Sequence, residues 1–266
     1  MPDYSEEIKA IAQANSLEAL EAFIQQQRET DPDYYSPPFG DLFRAAADWN
    51  ADRIAVYCLE HGQPVFDGVM TGVVVNESFA VYRVLIERKA VDINHYVPWY
   101  GDILGTFAFD GKMDWVRFCL EHGADPNRNV ISDGLRPLAC AAGTGDMEMV
   151  DLMLQYGARL EGSYALVEAA LFGHMEIVKH LLAMGADIDE VGIEGPPGDE
   201  GYQYMGSPLH HAATHGLTEI ALFLIDAGAN VRLMDPMGRT AEDLALKNNH
   251  TEILDALRRK MNPVEE

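Results

Sequence analysis

The chain has 266 residues and a formal net charge of −24 at pH 7, from 43 acidic residues against 19 Lys and Arg. This charge repels nucleic-acid phosphates and anionic lipid surfaces, which argues against both as partners and favours basic proteins. Three cysteines without a paired spacing, an acidic N-terminal segment and the lack of an apolar run of about 20 residues predict a cytoplasmic protein in a reducing compartment.

The first predicted element is a helix. Residues 6–27 have apolar residues at helical spacing, with Ser16 as a candidate N-cap and Glu18 in the first turn. Residues 31–41 contain a cluster of prolines and cannot form a regular helix. We therefore assign residues 1–39 to an N-terminal helical cap followed by a proline-rich connector.

The remainder of the chain, residues 40–266, is dominated by a repeated phrase of apolar residues at helical spacing that ends in glycine. Its four clearest copies lie at 114–127, 147–160, 175–188 and 218–231. The glycines, at positions 123, 157, 185 and 228, are expected to end the second helix of each unit in the left-handed conformation. A unit that recurs in this way cannot bury its apolar face alone and must stack on its neighbours.

Degenerate copies continue this register toward both ends of the chain. Residues 42–62 and 70–90 form a first and a second unit, and in the second unit Lys89 or Ala90 replaces the glycine. Residues 101–125 form a third unit. The last unit, 238–260, ends in charged residues, as expected of a terminal repeat that faces water.

The unit SPLHHAATHGLTEIALFLIDAGAN, from Ser207 to Asn230, resembles the ankyrin repeat, which is a β-turn followed by two antiparallel helices. An earlier unit, RPLACAAGTGDMEMVDLMLQYGA, from Arg136 to Ala158, departs from the pattern mainly at Ala139, where the family has histidine. The resemblance covers roughly residues 40–260 and implies an all-α, ankyrin-type α-solenoid of about seven stacked helix-turn-helix repeats with β-turn connections. It also implies that His210 is structural and braces neighbouring turns.

The resemblance implies a recognition face as well. Ankyrin arrays bind partners along a concave face, through the turn tips and the two residues before the glycine that closes each inner helix. In this chain those residues are Asp48, Trp49, Val75, Asn76, Phe109, Asp110, Gly143, Thr144, Leu171, Phe172, Thr214, His215, Lys247 and Asn248. We expect a broken aromatic stripe with acidic edges, suited to a basic or amphipathic segment, unless some rings fold between the repeats.

Two segments depart from the repeat pattern. Residues 189–206 lengthen one turn, and the segment is either a functional loop that uses Tyr202 and Tyr204 as contacts or a tolerated insertion. In residues 95–102, Trp99 and Tyr100 either anchor a partner or cover the weak second repeat. Packing is slightly favoured, because large aromatic side chains are well buried on average.

Familiar catalytic motifs are absent from the sequence. His211 and His215 lie four residues apart, as metal ligands do, but two ligands do not make a site, so we expect neither a metal nor a cofactor. His211 stays among the candidate contact residues.

The sequence therefore favours a protein-interaction module or scaffold over an enzyme. The alternative is a small-molecule binder or an unfamiliar enzyme in which His215 and Asp110 perform acid or base chemistry. Its aromatic groove would be closed by the loop at 189–206.

Overall fold

The computed structural model of the chain describes residues 5–31, 38–128, 136–192 and 206–262. Within these ranges the protein is built from helices, joined by turns and a short antiparallel ribbon. The chain divides into two compact units, Met1–Ile103 and Leu104–Glu266. The prediction of an all-α repeat fold is confirmed.

The described part of the N-terminal unit contains six helices and the ribbon. Its helices are α1 (Glu6–Ala14), α2 (Leu17–Thr30), α3 (Phe39–Asp48), α4 (Asp52–Glu60), α5 (Asp67–Val75) and α6 (Phe79–Glu87). Strands β1 (Tyr96–Val97) and β2 (Gly101–Asp102) pair antiparallel after them. Because α3 packs on both α4 and α5, and α4 packs on α6, the first two predicted repeats each form a pair of stacked helices.

The N-terminal cap is a pair of helices rather than a single helix. Asn15, in the left-handed conformation with φ of 46°, ends α1, and the Ser16 side chain then accepts a hydrogen bond from the Ala19 amide, which confirms Ser16 as an N-cap. The Asn15 side chain also donates to Asp52 at 2.7 Å and accepts from the Arg53 amide at 3.1 Å. Asn15 therefore ties the cap to the start of α4.

The C-terminal unit continues the pairs of helices, starting with α7, which belongs to it from Leu104 onward. Its helices are α7 (Ile103–Phe109), α8 (Met113–Glu121), α9 (Pro137–Thr144), α10 (Met147–Gln155), α11 (Ala165–Leu171), α12 (Met175–Ala183), α13 (Pro208–His215), α14 (Thr218–Asp226), α15 (Ala241–Lys247) and α16 (Thr251–Met261). The inner helices α9, α11, α13 and α15 pack on one another in that order, and the outer helix α14 packs on α12 and α16.

Small residues allow the inner helices to approach closely. Ala139, Ala141 and Ala142 of α9 are all completely buried, and buried alanine pairs recur in α11 and α13. The outer helices end at the predicted left-handed glycines, and Lys89, with φ of 56°, takes that place in the second repeat. The stacked repeats therefore form one continuous apolar layer within each unit.

The cysteines belong to this buried layer. Cys58, Cys119 and Cys140 are buried, and none of them forms a disulfide. Burial raises the pKa of the Cys58 thiol to about 12, so this thiol stays protonated and unreactive at neutral pH. Among the described residues no helix has the length and apolar character needed to cross a bilayer.

Candidate functional site

The ends of the inner helices reach the surface, and histidines of the following repeats hold two of them in place. The His174 ring donates from Nε2 to the carbonyl of Gly143 in the last turn of α9, at 2.9 Å. The His250 ring makes the equivalent bond to the carbonyl of Thr214 in α13, at 3.2 Å. These bonds satisfy carbonyl groups that a helix end leaves open, and they fix the residues that a partner would meet.

Exposed residues at these helix ends form what we call the recognition surface of the C-terminal unit. It comprises Phe109, Asp110, Thr144, Phe172 and His215. The side chains of Phe109 and Phe172 are 57% and 59% exposed, so neither ring folds between the repeats. Leu171 and Thr214 are half-buried beside them. Exposed aromatic rings on a rigid scaffold are typical of a binding surface.

The two residues of the acid–base alternative lie at the ends of different inner helices. Asp110 follows α7 and His215 ends α13, with the inner helices α9 and α11 between them in the chain. Packed helices lie about 8 to 10 Å apart, so this order gives no support to a pair within hydrogen-bond reach. The hypothesis that His215 and Asp110 act together stays a prediction.

The corresponding residues of the N-terminal unit are partly engaged with one another. Asn76 donates from its side-chain amide to the Asp48 carboxylate at 3.2 Å, which links the ends of α3 and α5. Trp49 is half-buried, whereas Val75 is 57% exposed. A partner would meet an apolar and amide surface here rather than a free carboxylate.

The ribbon presents an aromatic tip. Trp99 lies between β1 and β2 with φ of 72°, a left-handed conformation that is unusual for a bulky residue. Its side chain is 89% exposed, Tyr96 is 52% exposed, and Tyr100 is half-buried. The preference for packing of Trp99 over the second repeat is therefore wrong. Backbone strain and an exposed tryptophan at one turn are features that often mark a contact site.

His211 is not a contact residue. Its side chain is only 3% exposed because it lies at the fourth position of α13, which faces the packed interior of the repeats. His215, one turn later, is exposed. The described residues contain no group of three or more His, Cys, Asp or Glu side chains placed to hold a metal ion.

The inserted turn is closed at its base. Gly192 and Gly206 form an isolated antiparallel bridge, with the Gly192 amide donating to the Gly206 carbonyl at 3.2 Å. The candidate contact residues Tyr202 and Tyr204 lie outside the described residues. The prediction of a functional loop at 189–206 therefore stays a prediction.

Glu168 is a candidate site residue that the sequence analysis missed. It lies on the inner helix α11, half-buried, and burial raises the pKa of its carboxyl to about 7. Within the described part of the chain its carboxylate makes no hydrogen bond or ion pair. One signal was present in the sequence, because an acid within ALVEAAL occupies a helix that is otherwise apolar.

Glu168→Gln is expected to stabilise the protein increasingly as the pH rises. Between pH 4.5 and about 7 the folded carboxyl keeps a proton that the unfolded chain has lost, so wild-type stability falls across this window. Relative to wild type, the variant should gain about 1 to 2 kcal/mol in free energy of unfolding between roughly pH 5.5 and pH 8. Urea unfolding at both pH values measures the gain.

Glu252→Gln provides the matched control. Glu252 is exposed on α16, and its replacement should change stability by nearly the same amount at both pH values. If the free energy of unfolding changes with pH in the same way for wild type and Glu168→Gln, Glu168 is not held in an unfavourable environment.

Stacked antiparallel helix pairs that present exposed inner-helix ends define the chain as a helical-repeat binding protein. The family model for ankyrin repeats matches in three copies, over residues 104–191 and 197–265. Since the match covers more than half of the residues, the chain belongs to the ankyrin repeat family. Ankyrin repeats are protein-interaction modules, and this supports the same general role here.

The curated relatives match the chain over only part of their own length. The chain is 32% identical over 122 residues to a probable E3 ubiquitin-protein ligase, XBOS32, of Oryza sativa subsp. japonica, covering 44% of the chain and 23% of that protein. It is 27% identical over 173 residues to a putative palmitoyltransferase, ZDHHC13, of Danio rerio, covering 54% of the chain and 27% of that protein.

A putative ankyrin repeat protein of fowlpox virus, FPV115, is 29% identical over 160 residues. This match covers 59% of the chain and 27% of the viral protein. The chain thus spans less than a third of the length of each of these three relatives. Because the matched segments are only a part of proteins with different activities, the similarity carries the repeat fold and not the activity of any one relative.

Proposed function

We propose that this chain binds a basic, amphipathic segment of another protein on the recognition surface of its C-terminal unit. The observation that carries the proposal is the exposure of Phe109 and Phe172 at the ends of inner helices whose backbone is fixed. More than half of each ring is accessible on a rigid support, which limits the entropy lost on binding.

Charge supports the basic character of the partner. The chain has a net charge of −24, and Asp110 is exposed next to Phe109. An acidic surface attracts a basic segment and speeds its association, while the aromatic rings provide apolar contact area. A cytoplasmic location is part of the proposal and is supported by three cysteines that form no disulfide.

Trp99 provides a second proposed contact, in the N-terminal unit. An exposed indole has the size and amphipathic character that dominate binding energy at interfaces. Its left-handed backbone conformation has no advantage for stability in the free protein, which supports a role in contact with a partner.

Phe172→Ser tests the proposed surface. Random peptides displayed on phage are selected against the wild-type protein, and the affinities of the recovered peptides are measured by calorimetry. We expect apolar and basic residues in these peptides and at least about tenfold weaker binding to the variant, because a buried aromatic anchor is typically worth 1.4 kcal/mol or more. Affinity should also fall with rising salt concentration.

Tyr156→Ser is the matched control. Tyr156 is 43% exposed at the end of the outer helix α10, away from the recognition surface, and its replacement should leave affinity unchanged. Peptides that bind both variants as well as they bind wild type would refute the proposed surface. Binding that does not respond to salt would refute the electrostatic part alone.

The small-molecule alternative has less support. A cavity of about 420 Å³ lies between α14 and α16, lined by residues that include Leu222, Ile225 and Arg259. It therefore opens on the outer helices and is not formed by the aromatic residues at the ends of the inner helices. Its position gives no support to a ligand pocket on the recognition surface.

A further inference from the structure

Gly143 leaves an open notch in the recognition surface. A methyl group added at this glycine would lie 3.4 Å from the Phe172 ring and 3.7 Å from Oε2 of Glu168. The ring and the carboxylate therefore border the same small space, on adjacent inner helices α9 and α11. We call Gly143, Glu168 and Phe172 the Gly143 notch.

The walls of the notch are held in position. The Gly143 carbonyl accepts a hydrogen bond from His174 at 2.9 Å, and the His174 ring stacks beside Phe172 with centroids 6.5 Å apart. Glu168 and Phe172 lie on successive turns of the same short helix segment, so they face the same side. An incoming group would meet a preformed site, which lowers the entropic cost of binding.

The carboxylate in this notch has no partner among the described residues. Within the described residues Glu168 makes no ion pair or hydrogen bond, although it is half-buried at the edge of a surface. A half-buried acid without a partner destabilises the folded protein once it is ionised, and structure alone gives no reason for it. Groups of this kind concentrate at binding and catalytic sites.

We propose that the Gly143 notch binds an arginine side chain of the partner segment, with the guanidinium paired to Glu168 and stacked on Phe172. This inference rests on the proposed function and names the residue that the surface recognises. The occupant is a protein side chain, because the notch is continuous with the exposed aromatic surface on which the partner segment lies.

Arginine fits the notch better than lysine does. A guanidinium is planar, donates two parallel hydrogen bonds to a carboxylate and stacks on an aromatic ring through its flat face. A lysine ammonium is a strongly hydrated point charge that cannot use both walls in this way. Gly143 has no side chain that would block the approach of the guanidinium to the carboxylate and the exposed ring.

Arginine binding should depend on pH, because only ionised Glu168 pairs with a cation. Other titratable groups face this region from each packed element: Cys140 on α9, His174 at the start of α12, and His211 and His215 on α13. All of these groups are unchanged in Glu168→Gln, so they act equally on both proteins. The pH effect assigned to Glu168 is therefore the part that Glu168→Gln removes.

The test uses a peptide selected on the wild-type protein, with each arginine replaced in turn by citrulline, its neutral isostere. One replacement should weaken binding to wild type at least about tenfold and binding to Glu168→Gln less than about twofold, as expected for two directly coupled groups. Binding to wild type should also be about tenfold weaker at pH 6 than at pH 8, and binding to the variant should lose most of this difference.

Glu252→Gln, on the outer helix α16, is the control for the loss of one negative charge and should behave as wild type. If no citrulline replacement is coupled to Glu168 while Phe172→Ser still weakens binding, the arginine proposal is refuted and the proposed function stands. If Phe172→Ser does not weaken peptide binding either, both the arginine proposal and the proposed function are refuted.

Discussion

His210→Ala is expected to lower the free energy of unfolding by about 3 kcal/mol, because the change removes a buried ring and its hydrogen bonds. The ring is 2% exposed. Its Nδ1 accepts bonds from the amide of Ser207, at 3.2 Å, and from the hydroxyl of Ser207, at 2.7 Å. Its Nε2 donates to the Arg239 carbonyl in the following turn, at 3.1 Å. Without the ring, the buried Ser207 amide loses its partner.

These bonds require a neutral imidazole with the proton on Nε2. Burial lowers the pKa of His210 below its usual 6.5, despite the nearby carbonyl of Arg239 and carboxylate of Asp235. As the pH falls below 6.5, the unfolded chain takes up a proton before the folded one does, so the contribution of His210 to stability is full above 6.5 and declines in acid. The stability difference between wild type and His210→Ala should therefore narrow as the pH is lowered.

His215→Ala is the control for this experiment. His215 lies on the same helix but is exposed, so its replacement should change stability by less than about 0.5 kcal/mol. Urea unfolding of both variants at pH 7.5 compares them directly. If His210→Ala lowers the free energy of unfolding as little as His215→Ala does, the hydrogen bonds around Ser207 do not brace the repeats.

The repeat fold was predictable because its signals are local. The signals are glycine at the end of most outer helices, paired alanines in the inner helices and histidine at position 210. Each of them can be read from a single repeat unit, and the same signals recur from one unit to the next. The second helix of the cap was not predicted, because the left-handed residue between α1 and α2 is Asn15 rather than glycine. Asparagine tolerates this conformation without marking it clearly in a sequence.

The candidate site was only partly predictable. The positions of Phe109 and Phe172 follow from repeat register, but their exposure depends on the residues of the next repeat. His211 was misassigned because a spacing of four residues reveals a shared helix face without revealing whether that face is buried. Glu168 was missed because its significance depends on what surrounds it: a glycine on the adjacent helix, an exposed ring and the lack of a carboxylate partner among the described residues.

Gly145→Ala is expected to destabilise the protein by about 2 to 3 kcal/mol, clearly more than the same change at a repeat glycine with open space around it. Gly145 ends α9 with φ of 81°, and an added Cβ would lie 2.6 Å from the His174 ring. Alanine would therefore be strained in its backbone and would displace the ring that holds the Gly143 carbonyl. Gly157→Ala is the control, because Gly157 has φ of 88° but open space around it. Its cost should be about 1 kcal/mol, from backbone strain alone.

Double substitution separates the steric effect from the backbone effect. His174→Ala should cost about 1 kcal/mol through the lost hydrogen bond, and it removes the ring that alanine at position 145 would strike. The double variant should therefore be less destabilised than the two single changes together, by about 1 kcal/mol. If the destabilisation of the double variant equals the sum of the two single effects, the His174 ring moves aside freely in Gly145→Ala. Since His174 also borders the Gly143 notch, a displaced ring should weaken peptide binding by Gly145→Ala, whereas Gly157→Ala should bind as wild type.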